Sequence, residues 1–200
     1  MKGMVRVITL FVLLAVLLSS SPAQNVCVIP GRGFFRISAE AGGLFSVFAH
    51  DHVIEARKID GCAAVDLQNL AQSSVKLSFS SGDLKVLDPK ESEEDRAKVQ
   101  KTMETDVLRI ADYPKITFES TGVAAESAGK YRVSGNLTIR GKSSPVTIPV
   151  TATHLDDGTF KVTGNFKFKQ TSFGIEPIKL IGGTVRVKDE VQTEWELYLK

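Results

Sequence analysis

Cysteine, histidine and tryptophan are scarce in this chain: 200 residues hold two Cys, three His and one Trp. Neither Cys stands at metal-ligand spacing from the His50 and His52 pair. Excess charge is missing as well. Of the 25 basic residues only Lys2 and Arg6 lie in residues 1–23, and none of the 23 acidic ones do, so the rest of the chain is formally neutral. No basic stripe argues for nucleic acid. Beyond residue 18 no long apolar run argues for a membrane span. The G-x-S-x-G elbow of a serine hydrolase is absent, and no Ser or Cys has a recognisable base partner, so no catalytic set is expected. Gly31-x-Gly33 and Gly182-Gly183 lie among strands with no helix after them, which makes them turn or bulge glycines rather than phosphate cradles.

What is present begins with an export signal. Lys2 and Arg6 precede an apolar run from Val7 to Leu18, and Ser21-Pro22-Ala23 offers a small-residue cleavage site. The run is about a dozen residues, short of the roughly 20 that cross a bilayer as a helix. Residues 1–23 are therefore predicted to be a cleaved signal peptide, and 24–200 a single periplasmic or secreted domain. Cys27 does not read as a lipid-attachment site, because Gln24-Asn25-Val26 precede it. In an oxidising compartment Cys27 and Cys62 are the natural disulfide pair, closing a loop worth about 3 to 4 kcal/mol in the chain-entropy model; two separate thiols are the alternative.

From Phe34 onward, apolar and polar residues alternate between short polar turns, the pattern of half-buried strands. About eight strands are expected. Their apolar faces carry Phe35 and Ile37, then Leu77 and Phe79, then Ile116 and Phe118, and Phe45 and Phe48 are further candidates for an apolar lumen. Val133, Leu137 and Ile139 follow, turning at Gly141-Lys142-Ser143 into Ile148. Phe160, Phe166 and Phe168 come after an Asp156-Asp157-Gly158 turn, with Phe173 and Ile175 behind them. Two final strands, Thr184 to Lys188 and Glu194 to Leu199, contribute Val185 and Trp195. Eight antiparallel strands suit a closed barrel able to enclose a small ligand, and a two-sheet sandwich would produce the same pattern.

One segment breaks the alternation. Pro89 suits a first helical position, Glu91, Glu93, Glu94 and Asp95 suit the N-terminal turn, and Val99, Met103 and Val107 recur at helical spacing ahead of Leu108. This predicts one amphipathic helix packed on the barrel, either a plug closing one end or a lid over a ligand entrance. The cluster His50-Asp51-His52 places two imidazoles on one face of a strand, half of a metal site; the only other histidine, His154, is at a distant strand end. The expectation is that an imidazole bonds buried backbone or a carboxylate and lines the barrel mouth, with metal- or haem-associated redox chemistry as the alternative. Eleven phenylalanines favour either an apolar ligand-binding lumen or a filled core in a purely structural domain.

Four strings, Phe45 to His52, Asp112 to Ser120, Gly135 to Lys142 and Ser172 to Ile175, resemble the YceI-like family in order and spacing. The resemblance spans roughly residues 30 to 199. It implies an all-β fold with one helix, an eight-stranded antiparallel extended lipocalin-like barrel. It further implies a bacterial, exported, non-enzymatic protein with no cofactor, whose partner is a polyisoprenoid or similar amphiphile held in the lumen. A homodimer is the one protein assembly allowed for. The apolar side chains named above would then form the lumen wall, and His50, His52 and Arg140 a polar mouth. The sequence departs from the family in one place: many members have a single histidine where this chain has His-Asp-His.

Overall fold

The computed structural model describes residues 23–43, 51–180 and 185–200. The predicted signal peptide, Phe45, Phe48 and His50 lie outside these residues, as does the side chain of Val185. The strands are β1 (Gln24–Gly42), β2 (His52–Ala56), β3 (Asp60–Val65), β4 (Ser74–Ser80) and β5 (Leu84–Val86). After the helix α1 (Glu93–Thr102) come β6 (Lys115–Ser127), β7 (Lys130–Ile139), β8 (Lys142–His154), β9 (Phe160–Lys169), β10 (Lys179–Leu180) and β11 (Val185–Leu199). Pairing runs β11-β9-β8-β7-β6-β4-β3-β1 and returns from β1 to β11, so eight antiparallel strands close a barrel and the sandwich alternative falls away. β10 extends the sheet from β11, and β2 with β5 extends it from β1.

β1 serves two neighbours on one side. Its first residues pair with β3, from Gln24 opposite Val65 to Cys27 opposite Cys62, and Arg36 to Ala39 pair with β2. Between them the register against β11 slips, from Val28 opposite Leu199 to Gly33 opposite Leu197. The bulge follows from Pro30, which has no N–H to donate, and from Gly31 and Gly33 at φ 73° and 98°. A Cβ on Gly33 would lie 1.9 Å from the Glu196 carbonyl oxygen, so only glycine fits there.

Two boundaries differ from expectation. The predicted last two strands are one strand of 15 residues, paired without a break from Glu190 opposite Lys169 to Leu199 opposite Phe160. Thr193 occupies an inward position in its middle, 5% exposed, and its hydroxyl donates to the Phe166 carbonyl at 3.0 Å. The β7–β8 turn is Arg140-Gly141, both at positive φ (51° and 69°), with Lys142 and Ser143 already in β8. Two consecutive left-handed residues match the natural twist of a two-residue hairpin.

At the β8–β9 turn, the Asp157 carboxylate accepts from the Thr159 hydroxyl and, at 2.9 Å, from the Thr159 backbone N–H, which holds its pKa down to about 2. A carboxyl depressed on folding stabilises above its unfolded value and loses that contribution as pH falls through the folded one. Asp157→Asn is therefore expected to flatten the fall of stability between about pH 5 and about pH 2. Urea midpoints across that range, compared with the native chain, check it.

Candidate functional site

The barrel interior holds a cavity of about 520 Å³. Its wall is the inward face of every barrel strand, as the alternation dictates. Phe35 and Ile37 of β1, Leu77 and Phe79 of β4, Ile116 and Phe118 of β6, and Val133, Leu137 and Ile139 of β7 line it. Ile148 of β8, Phe160, Phe166 and Phe168 of β9, and Trp195 of β11 complete the ring, with Leu108 and Ile175 from the connections. Many of these side chains, Leu77, Phe79, Ile148 and Phe166 among them, are only half-buried although they point inward, because they face open space and not one another. A filled barrel would have buried them. The Phe35 ring stacks on Trp195 at 5.8 Å and lies 5.7 Å from Phe79, which stiffens one flank.

Phe173 was expected on the wall but does not reach the cavity. It sits in the short turn Gln170–Phe173 after β9, 2% exposed, and packs edge-on to Phe168 at 5.4 Å. It supports the wall from behind. The turn breaks the two-residue period, so alternation could not place it. Arg140 is not on the wall itself; at 3.2 Å its guanidinium donates to the carbonyl of Val107, which is. Position in the hairpin turn aims it at the end of the helical segment, where it satisfies one of the carbonyls a helix leaves unpaired.

The helical segment covers one end of the cavity. α1 begins at Glu93, not at Pro89, with Ser92 as its N-cap accepting from the Asp95 N–H at 3.1 Å; Pro89 lies in the preceding turn. After Thr102 the coil widens through Met103–Val107, and Leu108 donates its N–H back to Met103 at 2.8 Å. Val99, Met103 and Val107 all face the cavity, so the predicted stripe is the covering surface. Gln100 docks the helix on the open edge of β5: its Oε1 accepts from the Val86 N–H and its Nε2 donates to the Leu84 carbonyl, both at 2.9 Å. One side-chain amide thus completes an unpaired strand edge.

His52 lines the cavity beneath this helix. The Asp88 carboxylate accepts from His52 Nδ1 and from the Val53 N–H, each at 2.7 Å, and Asp88 itself is 4% exposed. Asp88 fixes the start of β2 against the approach to α1, a role that Asp-Pro before a helix hides among ordinary turn residues. Lys98 also borders the cavity; Glu94 first and Asp95 second hold its pKa above the usual lysine value. His154 packs on the Phe160 ring at 4.9 Å, far from His52 along the barrel. Among the described residues no three His, Cys, Asp or Glu side chains gather as a metal site.

Other lining residues were not singled out beforehand. Ile54, Leu84 and Val86 come from the short β2 and β5, too brief to read as strands, and Leu67 and Leu70 from a loop. Gln170 and Thr193 are polar residues on the wall whose donors are spent on backbone carbonyls, Gln170 Nε2 on that of Lys188 at 2.9 Å. Cys27 and Cys62 form the expected disulfide. No described helix is long and apolar enough to cross a membrane.

Comparison with known proteins agrees with this geometry. Among solved structures, BcnA of Burkholderia cenocepacia superposes with a TM-score of 0.68 at 22% identity, covering 86% of this chain and 98% of that one. A polyisoprenoid binding domain from Saccharophagus degradans, described as implicated in plant cell wall breakdown, superposes at 0.61 with 11% identity over 90% and 99%. These likenesses establish the fold. A UPF0312 protein of Azotobacter vinelandii is 30% identical over 92 residues, 46% of this chain and 44% of its own length. Another from Yersinia pestis is 31% identical over 117 residues, 55% and 57% respectively. The chain thus spans about half the length of the curated relatives it matches. The profile of the YceI-like domain matches residues 36–198, which covers the barrel from the middle of β1 to the end of β11, and the chain belongs to that family.

Proposed function

We propose that this chain is an exported carrier or scavenger that holds a long apolar lipid, a polyisoprenoid or similar amphiphile, in its barrel lumen. The observation that carries the reading is the cavity of about 520 Å³ with an almost wholly apolar wall, inside the size range of ligand sites. Binding follows from burial: each methylene-sized unit moved from water to such a wall gains up to about 0.8 kcal/mol before ordering losses. The realistic yield for large ligands is nearer 0.3 kcal/mol per heavy atom. Length and shape then select more than polar contacts do. His52 and Lys98 are polar groups that border the cavity under the helix. The polyisoprenoid-binding description of a structural neighbour supports the ligand class. An external disulfide fits a periplasmic or secreted location, and the export-type sequence at residues 1–23 supports the route.

Mass spectrometry of the organic extract from natively purified protein tests the reading. A co-purified lipid, or saturable uptake of a polyprenol probe, is expected; neither appearing would overturn it. Leu137→Trp combined with Ile148→Trp places two indoles in the lumen. This variant is expected to stay folded and to weaken polyprenol uptake by about tenfold or more, measured by fluorescence titration.

A further inference from the structure

We propose that the helix is a fixed plug and that ligand exchanges at the opposite end of the barrel, through the loop Asp66–Ser73, with Leu67 as its first apolar contact. The proposal rests on the lipid-binding reading above and adds the route.

The two ends of the barrel are built differently. At the helix end, the covering segment is tied to two separate parts of the sheet. Gln100 accepts from the Val86 N–H and donates to the Leu84 carbonyl of β5, and Arg140 reaches from the β7–β8 turn to the Val107 carbonyl; Asp88, before α1, anchors the chain entering the helix to His52 and Val53 of β2. Lys85 on β5 adds an ion pair to Glu104 at 3.7 Å. Lifting the segment breaks these ties together and exposes Val99, Met103 and Val107 to water.

At the other end lies the β3–β4 loop. Its bonds run within itself: Asp66 Oδ1 accepts from the Gln68 and Asn69 N–H groups, and Ser73 Oγ accepts from the Asp66 N–H, all at 2.9 Å. The Gln72 and Ser73 N–H groups donate to the Asn69 and Leu70 carbonyls. Displacing the loop therefore breaks none of the sheet's backbone pairing, only the packing of its Leu70–Gln72 turn on β6. Leu67 borders the cavity and is yet 69% exposed, the one large hydrophobic side chain so exposed among the described residues. An apolar side chain that belongs to the lumen and to the surface at once marks where the lumen meets solvent. Leu70, Val65 and Tyr131 line the same cavity, so a ligand arriving at Leu67 meets further apolar wall.

Stopped-flow uptake and release of cis-parinaric acid, an 18-carbon polyene that fluoresces in apolar surroundings, tests the route with the mature chain. Leu67→Asp is expected to slow both association and release by about tenfold while the dissociation constant stays within about twofold. Leu67→Trp is expected to restore native rates. Gln100→Ala, which loosens the helix, is expected to leave both rates within about twofold of native. Faster exchange in Gln100→Ala together with native rates in Leu67→Asp would overturn the proposal and make the helix the lid. Native protein that never takes up the probe would instead overturn the lipid reading, so the two failures are distinct.

Discussion

Replacing Cys27 and Cys62 together by serine, or reducing the bond between them, is expected to lower the free energy of unfolding by about 3 to 4 kcal/mol. The bridge links residues 35 apart in sequence, and its main effect in the chain-entropy model is to deny the unfolded chain that loop's freedom. Its placement adds a second reason. The two cysteines stand opposite each other in the β1–β3 ladder, and Cys27 also exchanges backbone bonds with Lys200, at 2.8 and 2.9 Å. Residues 24–28 are thus the seam between β3 and β11, cut off by the bulge from the rest of β1. Without the bridge, the four ladder residues Gln24 to Cys27, the buried Val26 among them, must hold the seam. For a domain of this size the loss corresponds to a fall of roughly 10 °C in midpoint. Calorimetry of oxidised and reduced protein measures it, and coincident transitions would show that the seam holds without the bond.

Asp88→Ala is the second large effect, expected to cost about 2 to 4 kcal/mol. The carboxylate is buried and accepts two bonds of 2.7 Å, from the Val53 N–H and from His52 Nδ1. Hydrogen bonds to a charged group contribute about 1.5 to 3 kcal/mol each, and removing the acceptor leaves a partly buried N–H unsatisfied. Asp88→Asn keeps one acceptor for Val53 and is expected to cost about half as much. Urea denaturation resolves the ordering, and equal stability of the Ala and Asn variants would argue against it. Because Asp88 sits where β2 meets the approach to α1, hydrogen exchange in β2 and β5 is expected to quicken in the Ala variant before the eight-strand ring is affected.

Much of the barrel was legible in the order of residues. Alternation with period two placed Leu77 and Phe79, Val133 and Leu137, and Phe166 and Phe168 on one face, because a strand leaves no other choice once one face is greasy. The same rule failed where a different constraint took over. Phe173 lies in a tight turn, where no period applies. Thr193 is polar yet inward, since a nearby carbonyl accepts its hydroxyl. Asp189-Glu190 fall between the two predicted final strands and are strand all the same, at a bulge in the pairing of β11 with β1.

The sequence by itself determined the strand faces and the helix stripe of Val99, Met103 and Val107, and it left one possible cysteine pair. Each of these follows from local spacing or composition. Tertiary structure alone decided that the faces enclose open space rather than meet. The empty volume depends on the closure of β1 on β11, which no window of sequence contains. It also decided the partners of single polar groups: His52 finds Asp88 36 residues away, and Arg140 finds Val107 33 residues away. A polar side chain takes whichever partner the fold brings within about 3 Å, and that choice is made by packing, not by its neighbours in the chain.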